Sequence, residues 1–399
     1  MSVQRIAWSR IIIEGSIMDI VGTKCGTLKR VTLQRSIDLK VIGIILVLTA
    51  IFLNEGCSNP VAPTDSVKDV YAGGISQNSS NVDVPGYWKN GTWIGLIPLD
   101  STKDSYVYSL VVSGSDVYAG GFSSFLISGN TVWAPGYWKN GVWTALTPLD
   151  ATKDSYVGSL VVSGSDAYAG GNSRNSSYVL VPGYWKNGTW IGLTPLDVTK
   201  SSYDNSLVVS GSDVYAGGCS RNSSNVDVPG YWKNGAWTAL TPLDATYDSS
   251  VYSLVVTGSD VYAAGYSSNS SNVRLPGYWK NGAWTALTPL DTTKNSWVES
   301  LVVSGSDVFA GGYSRNSSDV AVPGYWKNGT WIGLTPLDST RHSYVISLVV
   351  SGSDVYAGGA SINNSGVAVA GYWKNGVWTP LTPLDATKGS RVNSLVVVE

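Results

Sequence analysis

Short apolar runs separated by polar turns follow one another along most of the chain. Between Ser109 and Asp150, SLVV and VYAGG are joined by the turn SGSD, and GYWK and VWTAL are joined by Asn-Gly. Runs of this length, rich in Val, Tyr and Trp and bounded by Gly, Ser, Asn and Asp, are typical of β-strands. Asn-Gly is a strong signal for a two-residue hairpin, because both central residues of a type I′ turn need positive φ. The pattern predicts four antiparallel strands in this segment.

The same segment recurs seven times at a nearly fixed spacing. Successive copies of the tag GYWKNG begin 47 residues apart, except that the first interval is 50 because the loop Phe122–Gly136 is longer. The copies begin at Gly86, Gly136, Gly183, Gly230, Gly277, Gly324 and Gly371. A period in the forties with four strands per unit is typical of a β-propeller. The sequence therefore predicts an all-β, seven-bladed β-propeller with four-stranded antiparallel blades.

The two ends of the repeat region carry complementary parts of one blade. The first unit starts at VYAGG, Val70–Gly74, without a preceding SLVV, and the chain ends on SLVVVE, Ser394–Glu399. We therefore expect the C-terminal strand to complete the first blade and close the ring, so that no blade edge stays open. The predicted propeller covers residues 69–399.

The repeats resemble the kelch pattern, in which a glycine doublet precedes a spaced Tyr and Trp. Gly73 and Gly74 match the doublet, and Tyr87 and Trp93 match the aromatic pair. The repeats resemble still more closely the bacterial propeller repeats with a YWKNG tag, which occur in exported proteins without an assigned activity. The resemblance covers about residues 70–399 and implies the propeller of an exported protein.

The first 68 residues lie outside the repeats. The uncharged apolar run Val41–Leu53 follows a basic segment and has the length of a signal-peptide core rather than of a membrane-spanning helix. Gly56 and Cys57 then resemble a bacterial lipoprotein processing site. The sequence predicts an export and lipoprotein signal over residues 1–57 with lipidation at Cys57, and a linker over residues 58–68. Ordinary secretion is the alternative to a lipid anchor in the cell envelope, at the outer membrane or the cell surface.

Residues that recur in every unit are expected to build the frame. Trp88 and Trp93 should face each other across the Asn-Gly hairpin, and this pair should pack between blades in each repeat. Asp100 opens LDxT, where its side chain can cap the backbone that follows. The alternative is a sevenfold aromatic ligand site.

Positions that differ from repeat to repeat are the candidates for binding. They lie before SLVV, after the glycine doublet, in the Ser/Asn loop and in the crossover between units, all on one predicted face. The candidate residues are Tyr108, Asn205, Tyr252 and Glu299 before SLVV, Phe122, Tyr266 and Tyr313 after the doublet, Arg174, Arg221 and Arg315 in the loop, and Trp297 in the crossover. Aromatic residues and Arg are common binding anchors, whereas drift at exposed loop positions is the alternative.

The composition argues against nucleic-acid, metal and phosphate binding. A net charge of -2 gives no electrostatic argument for nucleic acid. Three cysteines and one histidine, His342, offer little for a metal site, and no phosphate-binding loop occurs, so we expect neither metal nor cofactor. The expected function is a non-catalytic, monomeric module that binds a protein or glycan through its variable face. The alternatives are a propeller enzyme acting on carbohydrate at the axial mouth, where Glu299 and Asp204 are the acids to consider, and a structural spacer.

Overall fold

The computed structural model describes residues 9–13, 16–20 and 68–399. The first two ranges are strands β1 (Ser9–Ile13) and β2 (Ser16–Ile20), which pair as an antiparallel hairpin. Residues 68–399 form a compact unit of their own. The predicted signal-peptide core, Cys57 and linker residues 58–67 lie outside the described residues. The part of the chain that the structure describes contains no helix long and apolar enough to span a membrane.

The compact unit is a ring of seven four-stranded antiparallel sheets, as the sequence predicts. Its strands are β3 (Asp69–Gln77), β4 (Asp83–Lys89), β5 (Thr92–Gly95), β6 (Tyr106–Ser113), β7 (Asp116–Ile127), β8 (Asn130–Lys139), β9 (Val142–Ala145), β10 (Ser155–Ser163), β11 (Asp166–Arg174), β12 (Leu180–Lys186), β13 (Thr189–Gly192), β14 (Tyr203–Ser210), β15 (Asp213–Arg221), β16 (Asp227–Lys233), β17 (Ala236–Ala239), β18 (Ser249–Thr257), β19 (Asp260–Ser268), β20 (Arg274–Lys280), β21 (Ala283–Ala286), β22 (Trp297–Ser304), β23 (Asp307–Arg315), β24 (Ala321–Lys327), β25 (Thr330–Gly333), β26 (Ser343–Ser351), β27 (Asp354–Ile362), β28 (Ala368–Lys374), β29 (Val377–Pro380) and β30 (Ser390–Val398). Blade 1 consists of β30, β3, β4 and β5, and blades 2 to 7 take the following strands in groups of four, from β6–β9 to β26–β29. The protein is therefore a seven-bladed β-propeller.

The C-terminal strand closes the ring, which confirms the expectation from the chain ends. β30 pairs with β3 over its whole length, from Val398 opposite Asp69 to Ser390 opposite Ser76. A ring of hydrogen bonds runs through the innermost strands, because the Leu of each SLVV donates its backbone N–H to the Ser hydroxyl of the blade before it. Ser394 of β30 accepts this bond from Leu110 of blade 2, at 3.0 Å.

The paired tryptophans belong to the frame, which confirms the packing interpretation. Trp88 lies opposite Trp93, with ring centroids 4.4 Å apart, and the other six blades repeat the pair. The first Trp of each pair is fully buried. Its indole N–H donates to a carbonyl in the crossover that leaves the preceding blade, as Trp138 does to Ile97 at 2.8 Å. Each pair therefore joins two blades.

The Asn-Gly turns and the cap at Asp100 have the geometry that the sequence predicts. Asn90 and Gly91 have φ of 50° and 86°, as a type I′ turn requires. The Asn90 amide also donates to Asp69, and Lys89 pairs with the same carboxylate at 3.2 Å. Asp100 accepts a hydrogen bond from the backbone N–H of Thr102 at 2.9 Å, which confirms the predicted cap. These recurring polar residues are accounted for by the frame.

Candidate functional site

Each innermost strand carries a β-bulge at the residue before SLVV. In blade 2, Val107 pairs with Gly121 and Ser109 with Gly120, which leaves Tyr108 without a partner between them. The register shifts at the same place in the other blades. A bulge bends its strand and redirects the extra side chain. The bulged residues are Asn393, Tyr108, Gly158, Asn205, Tyr252, Glu299 and Ile346, in order from blade 1 to blade 7.

The second glycine of the doublet leaves room for the bulged strand. A Cβ on Gly121 would lie 1.8 Å from the carbonyl oxygen of Tyr106, which is far closer than two such atoms can approach. The corresponding distance in the other blades is 1.8 to 2.1 Å. The first glycine faces a side chain of the next blade instead, and Ala264 occupies that position in blade 5. The second glycine thus provides the space in which the bulge forms.

All seven bulged residues line one cavity on the propeller axis, with a volume of about 530 Å³. Four of the predicted candidates therefore meet there: Tyr108, Asn205, Tyr252 and Glu299. The remaining lining residues are Trp133, Tyr156, Asp204 and Arg391. Cavities of this size accommodate small-molecule ligands in other proteins.

The aromatic candidates after the glycine doublet lie behind this lining. Phe122, Tyr266 and Tyr313 are only 1%, 5% and 7% exposed, and none lines the cavity. Phe122 stacks on Trp133, with ring centroids 4.5 Å apart. Trp297, from the crossover, packs against Tyr313 at 4.9 Å. These four side chains support the wall from behind.

The three candidate arginines lie at the ends of the second strands of their blades, away from the cavity. Arg221 makes a two-pronged ion pair with Asp227, at 2.7 and 2.9 Å. Arg315 pairs with Asp319 at 3.2 Å, and Arg174 donates to a backbone carbonyl of its own loop. These arginines therefore stabilise the Ser/Asn loops.

Trp133 and Arg391 line the cavity but were not among the sequence candidates, and Asp204 was considered only as an acid of the alternative enzyme. Each departs from the repeat. Asp204 stands where the other six blades carry a fully buried Val, Trp133 belongs to the longer loop of blade 2, and Arg391 occupies a crossover position that is most often Tyr. All three residues stand out when the repeats are aligned with one another. The alignment does not show which of the unusual residues lie at the axis.

Both acids of the cavity have a pKa above the usual value for their side chain. Burial raises the pKa of Glu299 to about 7, against the opposing attraction of Arg391. Burial also raises the pKa of Asp204 well above its usual value, although the backbone N–H of Ser206 donates to its Oδ1 at 3.2 Å. Its other oxygen, Oδ2, is buried without a hydrogen-bond partner. At mildly acidic pH, the guanidinium of Arg391 is therefore the dominant charge in the cavity.

Two asparagines of the lining are held by the neighbouring blades. Asn205 donates from Nδ2 to the carbonyl of Val251 at 2.9 Å, and Asn393 donates to that of Val107 at 2.7 Å. Each amide nitrogen is thus engaged with the frame, which leaves the amide oxygen as a fixed acceptor. The cavity therefore combines oriented acceptors, flat aromatic rings and one guanidinium.

Neither His342 nor Cys219 belongs to a reactive site. His342 accepts the backbone N–H of Ala321 at 3.0 Å on Nδ1, at a position where Asp104 performs the same role in blade 2. Burial raises the pKa of the Cys219 thiol to about 12, so it remains protonated. Within residues 68–399, no group of three or more His, Cys, Asp or Glu is placed to hold a metal ion.

Glu299 makes the stability of the propeller depend on pH. Its pKa is raised from 4.5 to about 7 on folding, so the folded state binds the proton more tightly than the unfolded state. Its contribution is complete below about pH 4.5 and is lost as pH rises to about 7. Glu299→Gln should therefore gain stability relative to the unmodified protein over this range, by at most about 3 kcal/mol. Urea unfolding at several pH values measures this difference.

Asp319→Asn is the matched control for this experiment. It removes one exposed carboxylate at a loop position where blades 1, 4 and 5 carry Asn. It should leave the pH dependence unchanged between pH 4.5 and 7. A constant difference between Glu299→Gln and the unmodified protein across the range would contradict the raised pKa.

The chain matches no known family model and no curated protein sequence. Similar solved structures include a Bacteroides fragilis protein provisionally described as a 6-phosphogluconolactonase, with 12% identity and a TM-score of 0.44 over 84% of this chain and 99% of that one. A Bacteroides uniformis protein with the same description has 14% identity and a TM-score of 0.39 over 83% of this chain and 99% of that one. Similarity at this level carries no argument about function, which therefore has to be argued from the cavity.

Proposed function

We propose that the propeller is a binding module that takes the end of a glycan in its axial cavity. One observation carries the proposal: the seven bulged positions share one cavity and together present several different residue types, while the frame around them is nearly constant. A packing role alone would favour one residue type at all seven positions, as it does for the buried Trp. Tyr108 and Tyr252 offer flat faces for sugar rings, and the fixed amide oxygens accept hydrogen bonds from hydroxyls.

A glycan array tests this function with the full chain and two triple variants. Tyr108→Ala, Tyr252→Ala and Glu299→Gln together should abolish binding, because they remove two aromatic faces and one polar group from the cavity. Replacing Arg174, Arg221 and Arg315 together with Ala should leave binding intact, because these side chains hold loops away from the axis. Melting curves verify that both variants are folded. Loss of binding only in the arginine variant would place the ligand on the loops instead.

Cleavage of a carbohydrate is the second candidate function. The cavity contains two acids, Glu299 and Asp204, each at a position that is acidic in one blade alone, and both have raised pKa values. Their presence together favours this function. A carboxyl group that stays protonated near neutral pH can act as a general acid. Incubation of the array's ligands with the protein, followed by product analysis, separates the two functions. Released sugar that is lost in Glu299→Gln would favour the enzyme, and intact ligand would favour the binding module.

We further propose that the propeller is monomeric and is displayed on the bacterial cell envelope through a lipid on Cys57. The proposal rests on the apolar run Val41–Leu53 and the small residue before Cys57, and on the resemblance to exported kelch-like propellers. Cys57→Ala should release the protein from the membrane fraction of cells, because no thiol remains to carry the lipid. Cys25→Ala is the matched control and should stay with the membranes. Membrane retention of Cys57→Ala would contradict lipidation at that residue.

A further inference from the structure

Within residues 68–399, every arginine except Arg391 has an ion pair, a hydrogen bond to a carbonyl or an aromatic ring as a partner for its guanidinium. Arg221, Arg315 and Arg341 pair with aspartates, Arg174 donates to a carbonyl, and Arg274 lies over two aromatic rings. Arg391 lines the axial cavity, and its Nε is buried with no hydrogen-bond partner. A buried donor on a charged group is costly when it is left unpaired. Arg391 therefore presents to the cavity a guanidinium that lacks an acceptor within residues 68–399.

The acids nearby do not neutralise this guanidinium. Glu299 and Arg391 line the same cavity but form no ion pair, and the attraction of Arg391 does not offset the effect of burial on the pKa of Glu299. Glu299 and Asp204 both hold their protons more tightly than usual because they are buried. At mildly acidic pH the cavity thus carries a net positive charge from one group, which favours a ligand with a single negative charge.

The rest of the lining suits a hydroxylated ring. Tyr108, Tyr156 and Trp133 place aromatic rings on one side of the cavity, and Tyr108 and Tyr156 have centroids 5.9 Å apart. Asn205 and Asn393 are fixed by the neighbouring blades, so that their amide oxygens can accept from hydroxyl groups. Aromatic faces pack against the C–H faces of a sugar, while the amides orient its hydroxyls.

We propose that the axial cavity is specific for a sugar that carries a carboxylate, of the uronic acid class, whose carboxylate is bound by Arg391. The planar fork of an arginine matches a carboxylate in a two-pronged hydrogen bond. A phosphate ester carries up to two negative charges, which the single guanidinium of the cavity cannot balance. This inference rests on the proposed glycan-binding function and names the class of glycan.

Isothermal titration of the full chain with three sugars tests the inference. The probes are methyl glucuronoside, the neutral methyl glucoside and glucose 6-phosphate. The glucuronoside should bind at least about tenfold more tightly than the glucoside, because the carboxylate adds a charge-assisted hydrogen bond. Arg391→Gln should remove this preference, and Arg391→Lys should retain only part of it, since lysine keeps the charge without the fork. Arg341→Gln removes an exposed arginine outside the cavity and should retain the preference in full.

The outcomes separate the inference from the proposed function. Equal binding of glucuronoside and glucoside, or a preference that survives in Arg391→Gln, overturns the carboxylate assignment and leaves glycan binding in place. Tighter binding of glucose 6-phosphate than of the glucuronoside overturns it as well. Absence of glucuronoside binding overturns the inference whatever the array shows, whereas the proposed function is decided by the array and its two triple variants. Should Arg391→Gln fail to fold by its melting curve, Arg391→Lys decides instead: a preference as large as that of the unmodified protein overturns the carboxylate assignment, and a reduced preference supports it.

Discussion

Gly359→Ala is expected to destabilise the propeller by about 3 kcal/mol or more, while Gly358→Ala, one residue earlier, changes stability by less than about 1 kcal/mol. A Cβ on Gly359 would lie 1.9 Å from the carbonyl oxygen of Tyr344, on the strand that contains the bulge. The three nearest atoms all belong to the main chain of Tyr344 and Val345, so no side chain could move aside to relieve the contact. The strand must therefore shift, and the bulge at Ile346 must be displaced or lost.

Gly358→Ala is a matched control because it adds the same methyl group to the same strand. Its Cβ would meet Val392 Cγ1 at 3.1 Å and Leu395 Cβ at 3.4 Å, contacts that small side-chain movements relieve. Ala264 already occupies this position in blade 5. Urea unfolding of both variants gives the two free energies. Similar stabilities would show that the close approach at Gly359 is not what requires glycine.

The second glycine also affects the candidate site, because the bulge orients the residue that faces the axis. The second glycine, the bulge and the cavity-lining residue depend on one another in each blade, as Gly121 and Tyr108 do in blade 2. The repeated frame thus presents to the cavity a position whose residue type varies between blades. A variant that disturbs the bulge should weaken ligand binding even where the lining residue itself is intact.

The fold could be predicted from the sequence because its signals are local and repeated. Asn90 and Gly91 determine a hairpin by their own φ preferences, and the period of the tag counts the blades. The strand Ser390–Val398 could be assigned to blade 1 because the first repeat lacks its counterpart. The Trp88 and Trp93 pair followed from the length of the turn between them.

The site could be predicted only in part because it depends on packing between blades. Tyr108 and Glu299 were recognised from variation at the position before SLVV, but the bulge that turns them to the axis was not. The crossover position illustrates the difficulty: Arg391 reaches the cavity, whereas Tyr106 is held back by a hydrogen bond to Asp83 and by stacking on Phe122. Such differences arise from neighbours that are distant in sequence.

Removal of β30, residues 390–399, is expected to abolish the cooperative unfolding of the propeller. The deletion strips β3 of its inner partner and removes Val392 and Leu395, which are 0% and 4% exposed in the core between blades 7 and 1. Burial of two such side chains contributes about 3–6 kcal/mol, before the lost strand pairing is counted. That is a large share of the about 5–15 kcal/mol that stabilises a typical domain.

Deletion of Glu399 alone is the control, since it removes only exposed contacts, the ion pair with Lys68 and a long hydrogen bond from Ser351, and should change the melting temperature little. A synthetic peptide of residues 387–399 should restore the transition of the truncated chain, because the vacated edge of β3 and the gap between blades 7 and 2 offer it the same partners. The Ser394 hydroxyl would then accept again from Leu110, and Ser347 would accept from Leu395. A truncated chain that melts within a few degrees of the full chain, without peptide, would show that the ring does not need this strand. Restoration by the peptide would show instead that blade 1 assembles from the two ends of the chain, so that the ring, and the axial cavity inside it, form only when β30 has docked.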